Sequence, residues 1–154
     1  MSPLLSPDRW RRLKIWLPPI AWAAIIFLFS SDAFSGSHTS GILEPLLRHL
    51  FPALSVSDVE TVHVLIRKLG HFGEYFVLSI FVLRALRQET HNKLSPRQLA
   101  LGLALTALYA VSDELHQALV PSRSAGFIDV LIDIFGGTCG TLCFHLPTLR
   151  RDPL

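Results

Sequence analysis

Apolar residues gather in four long runs along the chain, Ile15 to Ser31, Leu69 to Leu86, Leu99 to Val120 and Phe127 to Leu146. A hydrocarbon core takes about 20 helical residues to cross, somewhat fewer where flanking residues adapt. The pattern therefore predicts four membrane-crossing helices, with Pro18-Pro19 in the opening turn of the first, where missing backbone donors cost nothing. Between the first two runs, Ile42, Leu43, Leu46, Leu47, Leu50 and Phe51 recur at helical spacing, as in a short amphipathic helix lying on the membrane surface. Ser57-Asp58-Val59-Glu60 has the form of a capping box, so the second spanning helix is expected to begin outside the bilayer and enter it unbroken. Ser95-Pro96-Arg97-Gln98 predicts the start of the third, with proline at its first position. The expected fold is all-α: one domain over residues 1–154, an integral membrane four-helix bundle with antiparallel neighbours and a short amphipathic interfacial helix after the first span.

Composition agrees with a membrane as solvent. Half of the 154 residues are apolar and the mean hydropathy is +0.42, more than one soluble domain of this size normally hides. A formal net charge of +2, dispersed along the chain, excludes the concentrated basic face that nucleic acid requires. Cys139 and Cys143 lie inside an apolar run, match no zinc spacing and read as small packing residues. The basic N-terminus followed by Ile15 to Ser31, with Ala33-Phe34-Ser35 as a passable cleavage site, also has the form of a signal peptide. The three further apolar segments favour an uncleaved first helix.

Lysine and arginine sort by side if both ends are cytoplasmic. Arg9, Arg11, Arg12, Lys14, Arg84, Arg87, Lys93, Arg97, Arg150 and Arg151 then fall inside, against Arg48, Arg67, Lys68 and Arg123 outside. The expected location is a bacterial cytoplasmic membrane, crossed several times, with both termini in the cytoplasm.

Given that topology, the ionisable residues of the spans converge on the outer half. A charge at a helix centre costs about 2.5–3.5 kcal/mol on insertion scales, so its position is informative. The second helix contributes Lys68, His71, Glu74 and Tyr75; positions 68, 71 and 75 share a stripe that 74 borders. The third contributes Ser112, Asp113, Glu114, His116 and Gln117, with Tyr109 one turn earlier. Pro121-Ser122-Arg123 forms the outer turn with Ser124 as a possible N-cap, and Asp129 and Asp133 lie four apart on one face of the fourth helix.

These motifs, Lys68-Leu-Gly-His71-Phe-Gly-Glu74-Tyr75, Ser112-Asp113-Glu114-Leu-His116-Gln117, Pro121-Ser-Arg123 and Asp129-Val-Leu-Ile-Asp133-Ile-Phe-Gly136-Gly137, resemble in order and spacing the VanZ-like family. Phe27-Leu-Phe29-Ser30-Ser31 is similar to the family as well; Asp133 stands where asparagine is common in the family pattern. The resemblance implies a small multi-pass membrane protein of the cell envelope, similar to one associated with teicoplanin resistance.

The residues themselves leave several chemistries open. Lys68 and Arg123 suit an anion, arginine offering bidentate hydrogen bonds to phosphate; a membrane lipid, such as a polyprenyl or other anionic lipid-linked ligand, is then the expected partner. Glu74, Asp113, Glu114, Asp129 and Asp133 would orient the cations, while Tyr75, Ser112 and Gln117 complete a pocket. A membrane-embedded hydrolase or transferase acting on a lipid phosphate would draw its acid and base from His71, Glu74, Glu114 and His116. His71 with Glu74, and Asp113 with His116, are spaced like carboxylate and imidazole pairs that bind metals in bundles. Nearby Lys68 and Arg123 would repel a cation, so no cofactor is expected and a divalent metal is the less favoured alternative. In the third reading the charges satisfy one another as a network that locks the fold, in a structural or scaffold protein.

Two further groups read as structural. Gly136-Gly137-Thr-Cys-Gly140-Thr141 has small residues four apart, which lets helix backbones approach closely. His38, His49, His63, His91 and His145 are expected to be surface residues without partners.

Overall fold

A computed structural model of the chain describes residues 6–90, 93–123 and 126–149, and all regular structure among them is helical. Five helices follow in order: α1 Pro7–Phe29, α2 Gly36–Leu50, α3 Val56–Thr90, α4 Pro96–Ala118 and α5 Phe127–Leu149, with a single 3-10 turn, Asp32–Phe34, between α1 and α2. Three of them, α1, α3 and α5, are long and apolar enough to cross a membrane. Helix α4 falls outside that group because its last turns carry Asp113, Glu114, His116 and Gln117.

Helix starts follow capping chemistry, with two departures from the sequence pattern. Pro7, not Pro18-Pro19, occupies the opening turn of α1. Helix α1 therefore begins among the charged residues, and both later prolines sit in its interior, where they withdraw two backbone donors from the ladder. At α3 the reciprocal cap joins Ser55 and Asp58 rather than Ser57 and Glu60. The Ser55 amide donates to Asp58 Oδ2 at 3.0 Å and the Asp58 amide donates to Ser55 Oγ at 3.2 Å. Aspartate is short enough to close this box. The box at α4 forms where expected: Gln98 N donates to Ser95 Oγ at 3.3 Å and Ser95 N donates to Gln98 Oε1 at 2.8 Å. At 35 residues, α3 is about 52 Å long. That exceeds a hydrocarbon core of about 30 Å, so α3 projects beyond it without a break. Ser124 lies outside the described residues.

Helix packing is dominated by α3 against α5, with α4 beside α5 and both α1 and α4 against α3. Consecutive long helices are antiparallel, but the closest pair, α3 and α5, runs parallel. Its seam is a single face of α5 on which Asp129, Asp133, Gly136 and Gly140 meet Lys68, His71, Phe72 and Phe76 in turn. A Cβ at Gly136 would lie against the backbone carbonyl of Phe72, and one at Gly140 against that of Phe76 and against Ser79 Oγ. Absent side chains thus permit backbone contact. Gly137 turns the other way, toward Thr106 of α4.

Burial runs opposite to that of a water-soluble bundle. Leu101, Leu105, Leu108, Leu115, Phe135 and Leu142 are exposed, while Ser79, Thr106, Asp113, Glu114, Gln117 and Asp133 are buried. In the apolar windows of α1 and α5 only 17% and 22% of residues are buried within the chain. This distribution suits lipid, not water, as the solvent around the helices.

Candidate functional site

The ionisable residues that α3, α4 and α5 bury or half-bury, His71, Glu74, Asp113, Glu114 and Asp133, lie at one end of the helix array. Arg12 and Glu89, 3.9 Å apart, mark the other end. Asp129 and Asp133 reach this cluster because residues four apart on a helix share a face, and that face is the glycine seam with α3. Lys68 Nζ donates to Asp129 Oδ1 at 2.7 Å. One turn deeper, His71 Nδ1 lies 3.1 Å from Asp133 Oδ1 and 4.0 Å from Glu114 Oε1. Glu114 Oε2 accepts the amide of Gly126 at 3.1 Å, which ties the end of α4 to the start of α5. Asp133 is 0% and Glu114 6% exposed, yet Asp133 Oδ2 and Glu114 Oε1 have no hydrogen-bond donor among the described residues.

A second network fixes the end of α1. Ser30 Oγ donates to Asp113 Oδ1 at 2.5 Å, and Gln117 Nε2 donates to Asp113 Oδ2 at 3.1 Å and to Ser30 Oγ at 3.3 Å. Arg123 Nε donates to the Ser30 carbonyl at 3.3 Å, and Ser122 Oγ donates to Asp32 Oδ1. The turn after α4 is thereby pinned to the chain leaving α1. Lower down, Tyr109 donates to the Ala23 carbonyl at 2.6 Å and Trp22 Nε1 to the Glu74 carbonyl at 2.9 Å.

Between these networks lies a cavity of about 250 Å³ lined by Phe29, Ser30, Phe34, Arg67, Gly70, His71, Glu74, Gln117 and Arg123. Among the described residues, neither Arg67 nor Arg123 is ion-paired. Partial burial and then the positive charge of Arg67 pull the Arg123 guanidinium below the usual arginine range, opposed by Asp113, Glu74 and Glu114. It remains a cation, since arginine keeps its proton in proteins. Two half-buried guanidiniums with unused donors facing one cavity can take an anion with bidentate geometry.

Most residues singled out in the sequence meet at this end, in different roles. Lys68 and Asp129 pair with each other, His71 joins Asp133 and Glu114, Asp113 joins Gln117, and Glu74 and Arg123 border the cavity. Ser112 is exposed and donates to the Tyr109 carbonyl at 2.8 Å, away from the cluster. His116 stacks on Phe27 with ring centroids 4.3 Å apart, and its buried Nδ1 has no hydrogen-bond partner among the described residues. Tyr75 is fully buried in the apolar core, its ring centroid 6.3 Å from that of Tyr109, and its hydroxyl has no partner among the described residues. The histidines outside the cluster are not all free surface residues. His63 belongs to α3 and hydrogen-bonds Thr39 Oγ1 of α2 at 2.9 Å, while His38 bonds Ser35 Oγ at 2.8 Å. His91 lies outside the described residues.

Two residues at the site escaped the sequence reading. In the sequence Arg67 is only one of the outer cations, and Ser30 only part of the first-helix motif. That motif was the available signal, since a serine ending an apolar run has no obvious lipid-facing role.

A family model described as VanZ/LLP1 matches residues 15–148. No curated protein and no solved structure matches the chain.

Proposed function

As the chain belongs to the VanZ/LLP1 family, which its ordered motifs indicated, we propose that it is a four-span protein of the bacterial cytoplasmic membrane that binds an anionic, lipid-linked cell-wall component. In this reading α1, α3, α4 and α5 are the spans. Helix α4 joins the three more apolar helices because Leu101, Leu105, Leu108 and Leu115 form an exposed stripe along it. Helix α2 lies in the interface, with Ile42, Leu46 and Leu50 toward lipid and Leu47 against the protein. Both termini are cytoplasmic, which sets the cavity at the outer face, level with the headgroups.

The observation that carries the proposal is the pair of guanidiniums, Arg67 and Arg123, that line one cavity without a carboxylate partner among the described residues. Lys68, already held by Asp129, supports the bundle, and the second anion ligand is Arg67. Phe29 and Phe34, packed edge-on at 4.9 Å, give the cavity an apolar wall suited to the first carbons of a lipid. Through this ligand the protein would modulate teicoplanin sensitivity, as its family resemblance implies. Native mass spectrometry of gently extracted protein tests the binding step. Wild type is expected to retain a phosphate-bearing lipid that Arg123→Ala loses; equal retention by both would refute the assignment.

A catalytic reading has one observation in its favour. Glu74 borders the same cavity and its carboxylate has no hydrogen-bond donor among the described residues, so it is free to act as a base toward a bound phosphate ester. In that case Glu74→Gln would abolish turnover and leave lipid retention intact.

A further inference from the structure

We propose that His71, Glu114 and Asp133 form a binding site for one divalent transition-metal ion, of the zinc or manganese class. One donor atom from each of the three lies within 4.8 Å of the others. They come from three different helices, α3, α4 and α5, and meet in the interior of the polar end. This site is separate from the guanidinium pair proposed to take the anion, although His71 borders both.

The second observation is the state of the carboxylates. Glu114 Oε1 and Asp133 Oδ2 are buried and find no donor among the described residues, in residues 6% and 0% exposed. Leaving a buried acceptor unsatisfied costs about 1–3 kcal/mol, more when it is charged. Natural structures seldom leave such atoms unsatisfied, so each calls for a partner. Among the described residues no cationic side chain supplies one: Lys68 is held by Asp129, and neither carboxylate atom accepts a hydrogen bond from Arg123. A dication balances two carboxylates, and a neutral imidazole completes its coordination without adding charge.

Ligand chemistry narrows the ion. One imidazole nitrogen with two carboxylate oxygens suits zinc or manganese, whereas calcium takes six to eight oxygen ligands and magnesium usually keeps several waters. With bonds of about 2.1 Å, an ion holds its donors roughly 3.0–3.5 Å apart. The His71–Asp133 distance of 3.1 Å already meets that; the wider edges of the triangle contract by about 1 Å, within reach of a side-chain rotation of Glu114. Three protein ligands leave coordination positions for water or a bound anion.

The test uses full-length protein in lipid nanodiscs, stripped with chelator and titrated by calorimetry with zinc or with manganese, with bound metal counted by elemental mass spectrometry. Wild type is expected to bind one equivalent of at least one ion saturably. Glu114→Gln and Asp133→Asn are expected to weaken that binding by about 100-fold or more, since even residues behind the ligands affect metal affinity 10–100-fold. Asp129→Asn, whose carboxylate serves Lys68, should bind within about threefold of wild type. Absence of saturable one-to-one binding of either ion to wild type would overturn the proposal whatever the variants do. So would full affinity in Glu114→Gln, or loss as severe in Asp129→Asn. Arg67→Ala should leave metal binding intact, so failure of the anion site and failure of the metal site are read separately.

Discussion

A methyl group added at Gly136 enters the space already held by the Phe72 carbonyl of α3. Backbone cannot rotate out of the way as a side chain can, so α5 must move off α3 by about 1 Å to restore contact distance. Overpacking of this kind costs about 1–3 kcal/mol. The movement also acts on the polar end: His71 and Asp133, 3.1 Å apart one turn above, would separate to about 4 Å, beyond hydrogen-bond range. Gly73→Ala is the matched control. A Cβ there meets nothing within 4 Å, and replacing glycine inside a helix by alanine stabilises by about 0.5–1 kcal/mol. Reversible unfolding in mixed detergent micelles, followed by circular dichroism, should place Gly136→Ala about 1–3 kcal/mol below wild type and Gly73→Ala at or above it. Equal stability of the two variants would refute the parallel seam between α3 and α5 and the register of residues above it.

Two further substitutions separate the networks. Ser30→Ala removes a donor to Asp113 while keeping its burial, and should lower stability by about 1–3 kcal/mol; the same unfolding assay reads the loss, and none would place Asp113 outside the core. Lys68→Ala leaves Asp129 without its cation at a half-exposed position. A loss between the ~1 kcal/mol of exposed pairs and the ~3 kcal/mol of buried ones is expected, and Asp129→Asn should cost no more when added to it, because the two residues act as one pair.

Helix positions were legible because apolar runs and capping residues act locally; Ser95 and Gln98 cap α4 where the sequence placed them. Rotation of each helix was harder to read. Arg67 and Lys68 are neighbours about 100° apart around α3, flanked by Leu65, Ile66 and Leu69, which are all exposed. A helix apolar on every side gives periodicity no face to fix, so the sequence could not say which cation meets α5 and which meets the cavity. The cap of α3 lies two residues before the position the pattern predicts, because Ser55 and Ser57 offer equivalent side chains and Asp58 closes the box with Ser55. Gly136 and Gly140 were recognised as packing residues from spacing alone, but the carbonyls they touch belong to a helix some 60 residues away. Ser30 illustrates the same limit, since its value depends on Asp113 and Arg123 arriving from distant parts of the chain.

The most direct test of the anion site is the affinity of a short-chain isoprenyl diphosphate for the protein in nanodiscs, compared across Arg67→Ala, Arg123→Ala and Lys68→Ala. A hydrogen bond to a charged group contributes about 1.5–3 kcal/mol, which corresponds to roughly 10- to 150-fold in Kd. Each arginine variant is expected to weaken binding by at least about 10-fold, with Lys68→Ala within about threefold of wild type. Unchanged affinity in both arginine variants, or a dominant loss in Lys68→Ala, would contradict the account.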